Sequence, residues 1–313
     1  MNIFDVLIIG GGPAGLSVAT GLARQLHQAV LFDSHVYRNA LTSHMHNVAT
    51  WDHKSPAEFR QSARDQLMSR YDTIHIENVE IKIVEQDGSG GFNAIDSQER
   101  MWKGKKLVIA TGVRDIFPDI PGYGQCWARG IFHCLFCHGF EERGGESAGV
   151  LAIDDVANVK LAMHLARMAR RFAPIVTIYT HGAEELTKEL EKAVHGTGIK
   201  VDGQPIARLI KGSGESDVEI KFQDGTQRVE AFLSHKAKTE VNGPFADQLG
   251  LKLTAGGDIE TAQPFHSTSV PGVFAAGDCA TPLKSVVTAM AAGAMAAGGL
   301  VGQLQAEIYA GNQ

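Results

Sequence analysis

A chain of 313 residues, 44% hydrophobic and 20% charged, carries enough apolar material for two domains with real cores and is no disordered polymer. Its 35 acidic residues outnumber 29 basic ones, for a formal charge of -6, and it has no Lys/Arg-rich run, which argues against nucleic acid and anionic membranes as partners. Four cysteines are too few for a disulfide scaffold, and the start Met1-Asn2-Ile3-Phe4-Asp5 lacks the basic end and apolar length of a signal peptide, so a soluble protein of the reducing cytoplasm is expected.

Taken in order, Val6-Leu7-Ile8-Ile9 reads as a buried strand, Gly10-Gly11-Gly12-Pro13-Ala14-Gly15 as a glycine-rich turn, and Leu16 to Leu26 as a helix. In that place the pattern GxGxxG has a physical meaning. Gly10 makes the tight turn, Gly12 lets a pyrophosphate approach the backbone, and Gly15 lets helix and strand pack closely, with the phosphates on the helix N-terminus. A second strand, Ala29 to Phe32, ends in Asp33, where a carboxylate accepts hydrogen bonds from an adenosine ribose and excludes a 2'-phosphate. NAD and FAD both fit this unit. Further on, Lys106 to Gly112 is a buried strand ending in the small-residue turn Ala110-Thr111-Gly112.

The stretch His133-Cys134-Leu135-Phe136-Cys137-His138-Gly139 places two cysteines at the spacing of a small disulfide ring, beside imidazoles able to move the protons its opening requires. Redox chemistry leads, with half a zinc site or two buried thiols as the alternatives. Zinc would want a second ligand pair, and Cys126 and Cys279 stand alone. Both are expected to be buried small hydrophobes.

A second strand-turn-helix unit follows, without its glycines. After Ala148 to Ile153 come Asp154-Asp155-Val156-Ala157-Asn158, then a helix from Val159 to Arg171 and a strand from Ile175 to Tyr179. Two carboxylates stand where a pyrophosphate would bind. At an effective dielectric of about 20, like charges 4 Å apart repel by roughly 4 kcal/mol. Thr180-His181-Gly182-Ala183-Glu184-Glu185 then offers no basic pair, and Arg170 and Arg171 read as an exposed helix end. Near the C-terminus, Gly272 to Asp278 is another buried strand, ending in a carboxylate. The uncharged Ser285 to Gln303, mostly Ala and Gly, reads as a tightly packed buried helix rather than a membrane span.

The turns Ala110-Thr111-Gly112 and Gly277-Asp278 resemble the second and third fingerprints of two-dinucleotide-binding flavoproteins, which selects FAD over NAD. With the glycine loop and the dithiol in this order, the chain resembles low-molecular-weight thioredoxin reductases over nearly its whole length. That resemblance implies an α/β fold of two Rossmann-like domains, the second inserted into the first: FAD segments at 1–116 and 241–313, a CxxC-bearing insert at 117–240, and hinges near Arg114 and Lys238. It implies FAD contacts from Gly10, Gly12, Pro13, Ala14, Gly15, Asp33, Arg38, Asn39, His46, Asn47, Ala110, Gly277, Asp278, Ser285 and Val286; with no second cysteine pair, no metal ligands are expected. Asp278 would bond the ribityl chain, and the helix start near Ser285 and Val286 would face the flavin ring.

The inserted domain departs from those reductases, because its nucleotide loop and its 2'-phosphate arginines are missing. Cys-x-x-Cys-His-Gly in place of Cys-x-x-Cys-Asp-Gly, with Thr42-Ser43-His44-Met45-His46-Asn47, resembles the FAD-dependent dithiol oxidases that close disulfides in gliotoxin- and holomycin-type natural products. That family implies a homodimer, a small-molecule dithiol substrate, and O2 as acceptor giving H2O2. A substrate thiolate attacks Cys134, the second thiol resolves the mixed disulfide, and Cys137, flavin-proximal by the resemblance, leads the electrons to FAD. His138 is expected to be the base, since an imidazole exchanges protons with thiols far better than an aspartate does. His133, His44 and His46 are candidate helpers. A disulfide reductase fed by NADPH or another donor, and a flavin redox sensor without turnover, are the rival readings.

Overall fold

The computed structural model describes residues 3–310; Met1, Asn2 and the last three residues, which the expected domain ends include, lie outside it. The chain folds into two compact units, one of residues 1–40, 54–114 and 239–313 and the other of residues 41–53 and 115–238. Elements are numbered along the whole chain.

The first unit opens with strand β1 (Ile3–Ile9), helix α1 (Pro13–Ala23) and strand β2 (Ala29–Phe32). The helix starts three residues before the expected Leu16, because Pro13 has the φ a first helical position needs and no N–H to lose. It ends at Ala23, and Leu26 takes a left-handed φ of 61° in the turn beyond. Helix α2 (Pro56–Arg70) and strands β3 (Ile74–Glu77), β4 (Ile81–Gln86), β5 (Phe92–Asp96) and β6 (Met101–Ile109) follow. The last segment adds α7 (Phe245–Leu249), β17 (Val273–Ala275) and α8 (Val286–Ala310).

These strands form one sheet in the order β3-β2-β1-β6-β5-β4, with β17 also on β6. Besides β1, strand β6 is long enough to serve two further partners: residues 101–104 run antiparallel to β5, whereas Leu107, Val108 and Ile109 pair in parallel with Val273, Phe274 and Ala275. Alternate residues fill opposite cores, as a sheet covered on both faces requires. Val6, Ile8, Leu31 and Val108 pack beneath α1 and α8, while Leu7, Ile9, Val30 and Ile109 pack with Phe92, Phe245 and Ile259. Helix α8 is long and apolar enough to cross a membrane by length and composition. Here a small-residue face lies against α1: a Cβ on Gly293 would meet the Ala14 carbonyl at 2.3 Å, and one on Gly21 the Ala297 side chain at 2.5 Å.

Strands β7 (Val113–Ile116) and β16 (Lys238–Val241) pair as a two-stranded ribbon where the chain passes between the units, with Arg114 bonded to Glu240 at 2.6 Å.

In the second unit, α3 (Tyr123–Cys126), β8 (Ile131–Phe132), α4 (Leu135–His138), β9 (Ser147–Leu151), α5 (Val159–Ala169), β10 (Ile175–Tyr179), α6 (Glu184–Ala193) and β11 (Lys200–Asp202) come in order. An antiparallel sheet of β12 (Ile206–Lys211), β13 (Val218–Phe222) and β14 (Gln227–Glu230) precedes β15 (Phe232–Ser234). The main sheet, β11-β10-β9-β15-β8, is parallel throughout. Val150 and Ile178 face α5 on one side, and Leu151 and Tyr179 face Tyr123 and Phe222 on the other.

Candidate active site

The glycine loop is built to leave its helix end bare. Gly10 takes φ +121°, and a Cβ there would lie 2.2 Å from the Ala110 carbonyl oxygen, so only glycine lets the loop lie this close to the turn after β6. Gly15 is equally confined, with the Gly10 carbonyl 1.9 Å from where its Cβ would be. Gly12 differs, since no atom lies within 4 Å of its would-be Cβ and it caps α1 with no side-chain hydrogen bond. The start of α1 is therefore left without a side-chain cap and with room beside Gly12, as an anion-binding helix end requires.

At the end of β2, Asp33 is 1% exposed. Its carboxylate accepts bonds from the Tyr37 hydroxyl at 2.6 Å, the Arg64 guanidinium at 2.7 Å and the His35 N–H at 2.9 Å. Of about four acceptor positions, roughly one is left for a ribose hydroxyl. The side-chain oxygen of Thr111, beside Gly112, is buried without a hydrogen-bond partner.

After β17, Gly277 takes φ 87° and packs on Ala14, which brings Asp278 to the glycine loop's side of the sheet. Arg38 lies 3.3 Å from the Asp278 carboxylate, and Asn39 accepts a bond from Arg60 at 3.0 Å. Sequence reading passed over Lys284, whose nearly buried ammonium donates to the Asp258 carboxylate at 2.6 Å and to the carbonyls of Asp278 and Thr281 at 2.8 Å. It fixes the loop leading into α8, and Ser285 caps that helix by accepting the Thr288 N–H at 3.2 Å. A helix start without a side-chain cap after β1, a buried carboxylate at the end of β2 and an orphaned hydroxyl after β6, on the other side of β1, fit an FAD, which Gly10 to Gly15, Asp33, Ala110 and Asp278 would hold.

In the second unit Cys134 and Cys137 form a disulfide, with Cα atoms 5.2 Å apart across the single turn of α4. Buried Leu135 anchors that turn in the core, whereas Phe136 and Phe140 stay 76% and 64% exposed on either side of it. Gly139 is needed next: a Cβ would meet the Phe172 ring at 2.4 Å. The half-buried His138 ring stacks on Phe132 at 4.9 Å and meets His46 edge-on at 6.5 Å. Burial pushes its imidazole below its ordinary pKa, the nearby His46 imidazole acts the same way, and Glu141 opposes both. Burial thus favours the neutral form of the His138 imidazole. His133 stacks on Trp127 at 5.7 Å.

Residues 41–53 supply the other wall. Met45 and Val48 are buried, and the loop closes on itself through His53 N–H to the Met45 carbonyl at 2.8 Å. His46, named by the sequence as a cofactor ligand, donates from Nδ1 to the Cys137 carbonyl at 2.7 Å, and Asn47 donates to the Phe136 carbonyl at 2.8 Å. Both hold the disulfide turn. His44 stacks on His53 at 4.3 Å. Sequence reading missed His53, since its neighbours His46 and Glu141 meet it only through this fold. Cys126 and Cys279 are free and buried, the latter's thiol pushed up to about 12 by burial.

The second nucleotide loop is closed. Asp154 to Val156 form a 3-10 turn with Asp154 at φ 49°, and Asn158 caps α5 with its own side chain, accepting the Leu161 N–H at 2.9 Å. Asp154 pairs with Lys238 at 3.2 Å. His181 turns inward and accepts the Ile206 N–H at 2.8 Å, and Arg170 is bonded to the Pro174 carbonyl.

Fold, glycine loop and redox disulfide together define a disulfide oxidoreductase of the flavoprotein type. Comparison with known proteins narrows the class. The model of the pyridine nucleotide-disulphide oxidoreductase family matches residues 4–293, and the chain belongs to that family. It is similar to thioredoxin reductase aclD of Aspergillus oryzae, 47% identical over 96% of both chains, and to thioredoxin reductase sirT of Leptosphaeria maculans, 42% identical over 96% of this chain and 94% of that one. Among solved structures, an oxidoreductase from Agrobacterium tumefaciens aligns with TM-score 0.86 at 30% identity, over 98% of this chain and 99% of that one. The chain is a thioredoxin-reductase-like enzyme, and its cofactor is FAD.

Proposed function

We propose that this enzyme runs as an FAD-dependent dithiol oxidase, closing an intramolecular disulfide in a small-molecule dithiol with O2 as acceptor and H2O2 as co-product. The observation that carries the reading is the second nucleotide loop. Its helix end is filled by Asn158 and fronted by Asp154 and Asp155, so the usual nicotinamide donor meets carboxylates instead of bare N–H groups.

Electrons then have to enter through the cysteines. His138 takes a proton from a substrate thiol, and the thiolate attacks the Cys134 sulfur. The Cys134–Cys137 bond breaks, and Cys137 leaves as a thiolate. The second substrate thiol, deprotonated in turn, attacks the mixed disulfide at the substrate sulfur, which releases the cyclic disulfide and Cys134. The cysteines are left reduced by two electrons. FAD, when bound by the first unit, would supply the two-electron oxidation that restores their disulfide and the means of handing both electrons to O2. Two thiols and one O2 give one disulfide and one H2O2. The exposed Phe136 and Phe140 beside the disulfide suit an apolar substrate.

Oxygen uptake with dithiothreitol as a surrogate tests the reading: one peroxide per disulfide formed is expected, and no uptake would overturn it. A disulfide reductase is the second reading, favoured by the name thioredoxin reductase that the similar fungal proteins carry.

A further inference from the structure

We propose that His46, His53 and Glu141 bind one divalent transition-metal ion of the zinc class, on the turn that carries the redox disulfide. Three ligand atoms converge: His46 Nε2 lies 3.0 Å from His53 Nδ1 and 3.3 Å from a Glu141 carboxylate oxygen, which is 4.0 Å from His53 Nδ1. Bonds of 2.0–2.1 Å to a tetrahedral ion put neighbouring ligands about 3.3 Å apart, so an ion fits among these atoms with shifts of a few tenths of an ångström.

The tautomer is already set. A carbonyl only accepts, so the 2.7 Å contact with the Cys137 carbonyl puts a proton on His46 Nδ1. In the neutral ring Nε2 is then a bare lone pair, 3.0 Å from His53 Nδ1 and 3.3 Å from the Glu141 carboxylate. Donation of the second ring N–H to a backbone carbonyl is the usual outer support of a metal-ligating histidine. His53 is positioned by the stacked His44 ring, and its backbone N–H donates to the Met45 carbonyl. Two imidazoles and one carboxylate suit zinc better than magnesium or calcium, which prefer all-oxygen shells. His53 is 61% exposed at its side chain, so the fourth position opens to water. The site differs from the expectation of no metal, which looked only for cysteine pairs.

The test uses full-length, FAD-loaded protein stripped with EDTA, with the Cys134–Cys137 disulfide intact so that its thiols cannot compete. Equilibrium dialysis against zinc chloride should give saturable binding of about one ion per chain, and zinc should raise the melting temperature. His53→Ala and Glu141→Gln, both at exposed side chains, should each weaken binding at least about tenfold. His75→Ala, which removes the separate histidine paired with Glu77, should leave it unchanged. Absence of saturable binding in the wild type, unchanged affinity in both site variants, or equal loss in His75→Ala would each overturn the assignment.

Discussion

The chain contains the same strand-turn-helix unit twice, and the two copies ended differently. At residues 10–15 the turn is pared down to backbone, and the first turn of α1 is left without a side-chain cap. At residues 154–158 the corresponding turn is filled by its own side chains: Asn158 caps α5, Asp154 pairs with Lys238, and buried His235 bonds the Ile153 carbonyl at 3.3 Å just ahead of the turn. Both copies keep the parallel sheet and the helix packed on it, because those depend on apolar alternation within the strands. Ligand binding depends on a handful of positions at the helix start. The two copies thus share a fold and differ at the few positions that would meet a ligand.

Moving the second copy's feature into the first should have the largest effect. Gly12→Asp sets a carboxylate where the pyrophosphate belongs, and FAD affinity should fall roughly a thousandfold, from about 4 kcal/mol of repulsion. The fold should survive, since Gly12 has φ -79° and no atom within 4 Å of an added Cβ. Flavin absorbance and a melt of the apoprotein check both halves. Retained FAD would break the comparison.

Next in size is an acid effect on the filled copy. His235 accepts the Tyr123 hydroxyl at 2.6 Å and is held neutral, its pKa lowered to about 4 by burial. The unfolded chain, with an ordinary value near 6.5, binds the extra proton more readily. Stability is thus full above about pH 6.5 and declines as pH falls toward 4, by about 3 kcal/mol in all. Chemical denaturation across that range measures the slope, which His235→Gln should flatten; an equal slope in both proteins would contradict the account.

Much of this contrast was legible in the sequence. Gly10 to Gly15, the strand ending at Asp33, and the Cys134/Cys137 pair are short-range patterns whose spacing is their geometry. The loss of glycines at Asp154 to Asn158 was legible for the same reason. What escaped was long-range. Nothing in the order of residues shows that 41–53 clusters with the disulfide-bearing unit, that His46 and Asn47 bond the carbonyls of Cys137 and Phe136, or that His53 meets Glu141. Those partners lie about 90 residues apart and are brought together by chain paths that periodicity does not encode. Lys284 escaped because one buried ammonium among short loops looks like any surface lysine until Asp258 is found beside it.

A smaller effect should sharpen the chemistry at the cysteines. With its pKa lowered by burial, His138 stays a competent base below about pH 6.5, so the wild-type rate should hold where an ordinary histidine would begin to protonate. His138→Ala should keep its FAD and lose about a hundredfold in dithiol oxidation at about pH 6.5. Near pH 9 the loss should shrink, because the substrate thiols ionise unaided. Steady-state rates in EDTA-containing buffer decide it, and an equal loss at both pH values would remove the assignment as base.

The direction of electron flow is the central claim, and an anaerobic titration addresses it. NADPH and then a small dithiol would be added to the oxidised holoenzyme while the flavin band near about 450 nm is followed, after which air is admitted. The account predicts no bleaching by NADPH, full bleaching by the dithiol, and recovery in air with release of peroxide. Rapid bleaching by NADPH would contradict it and restore the reductase reading.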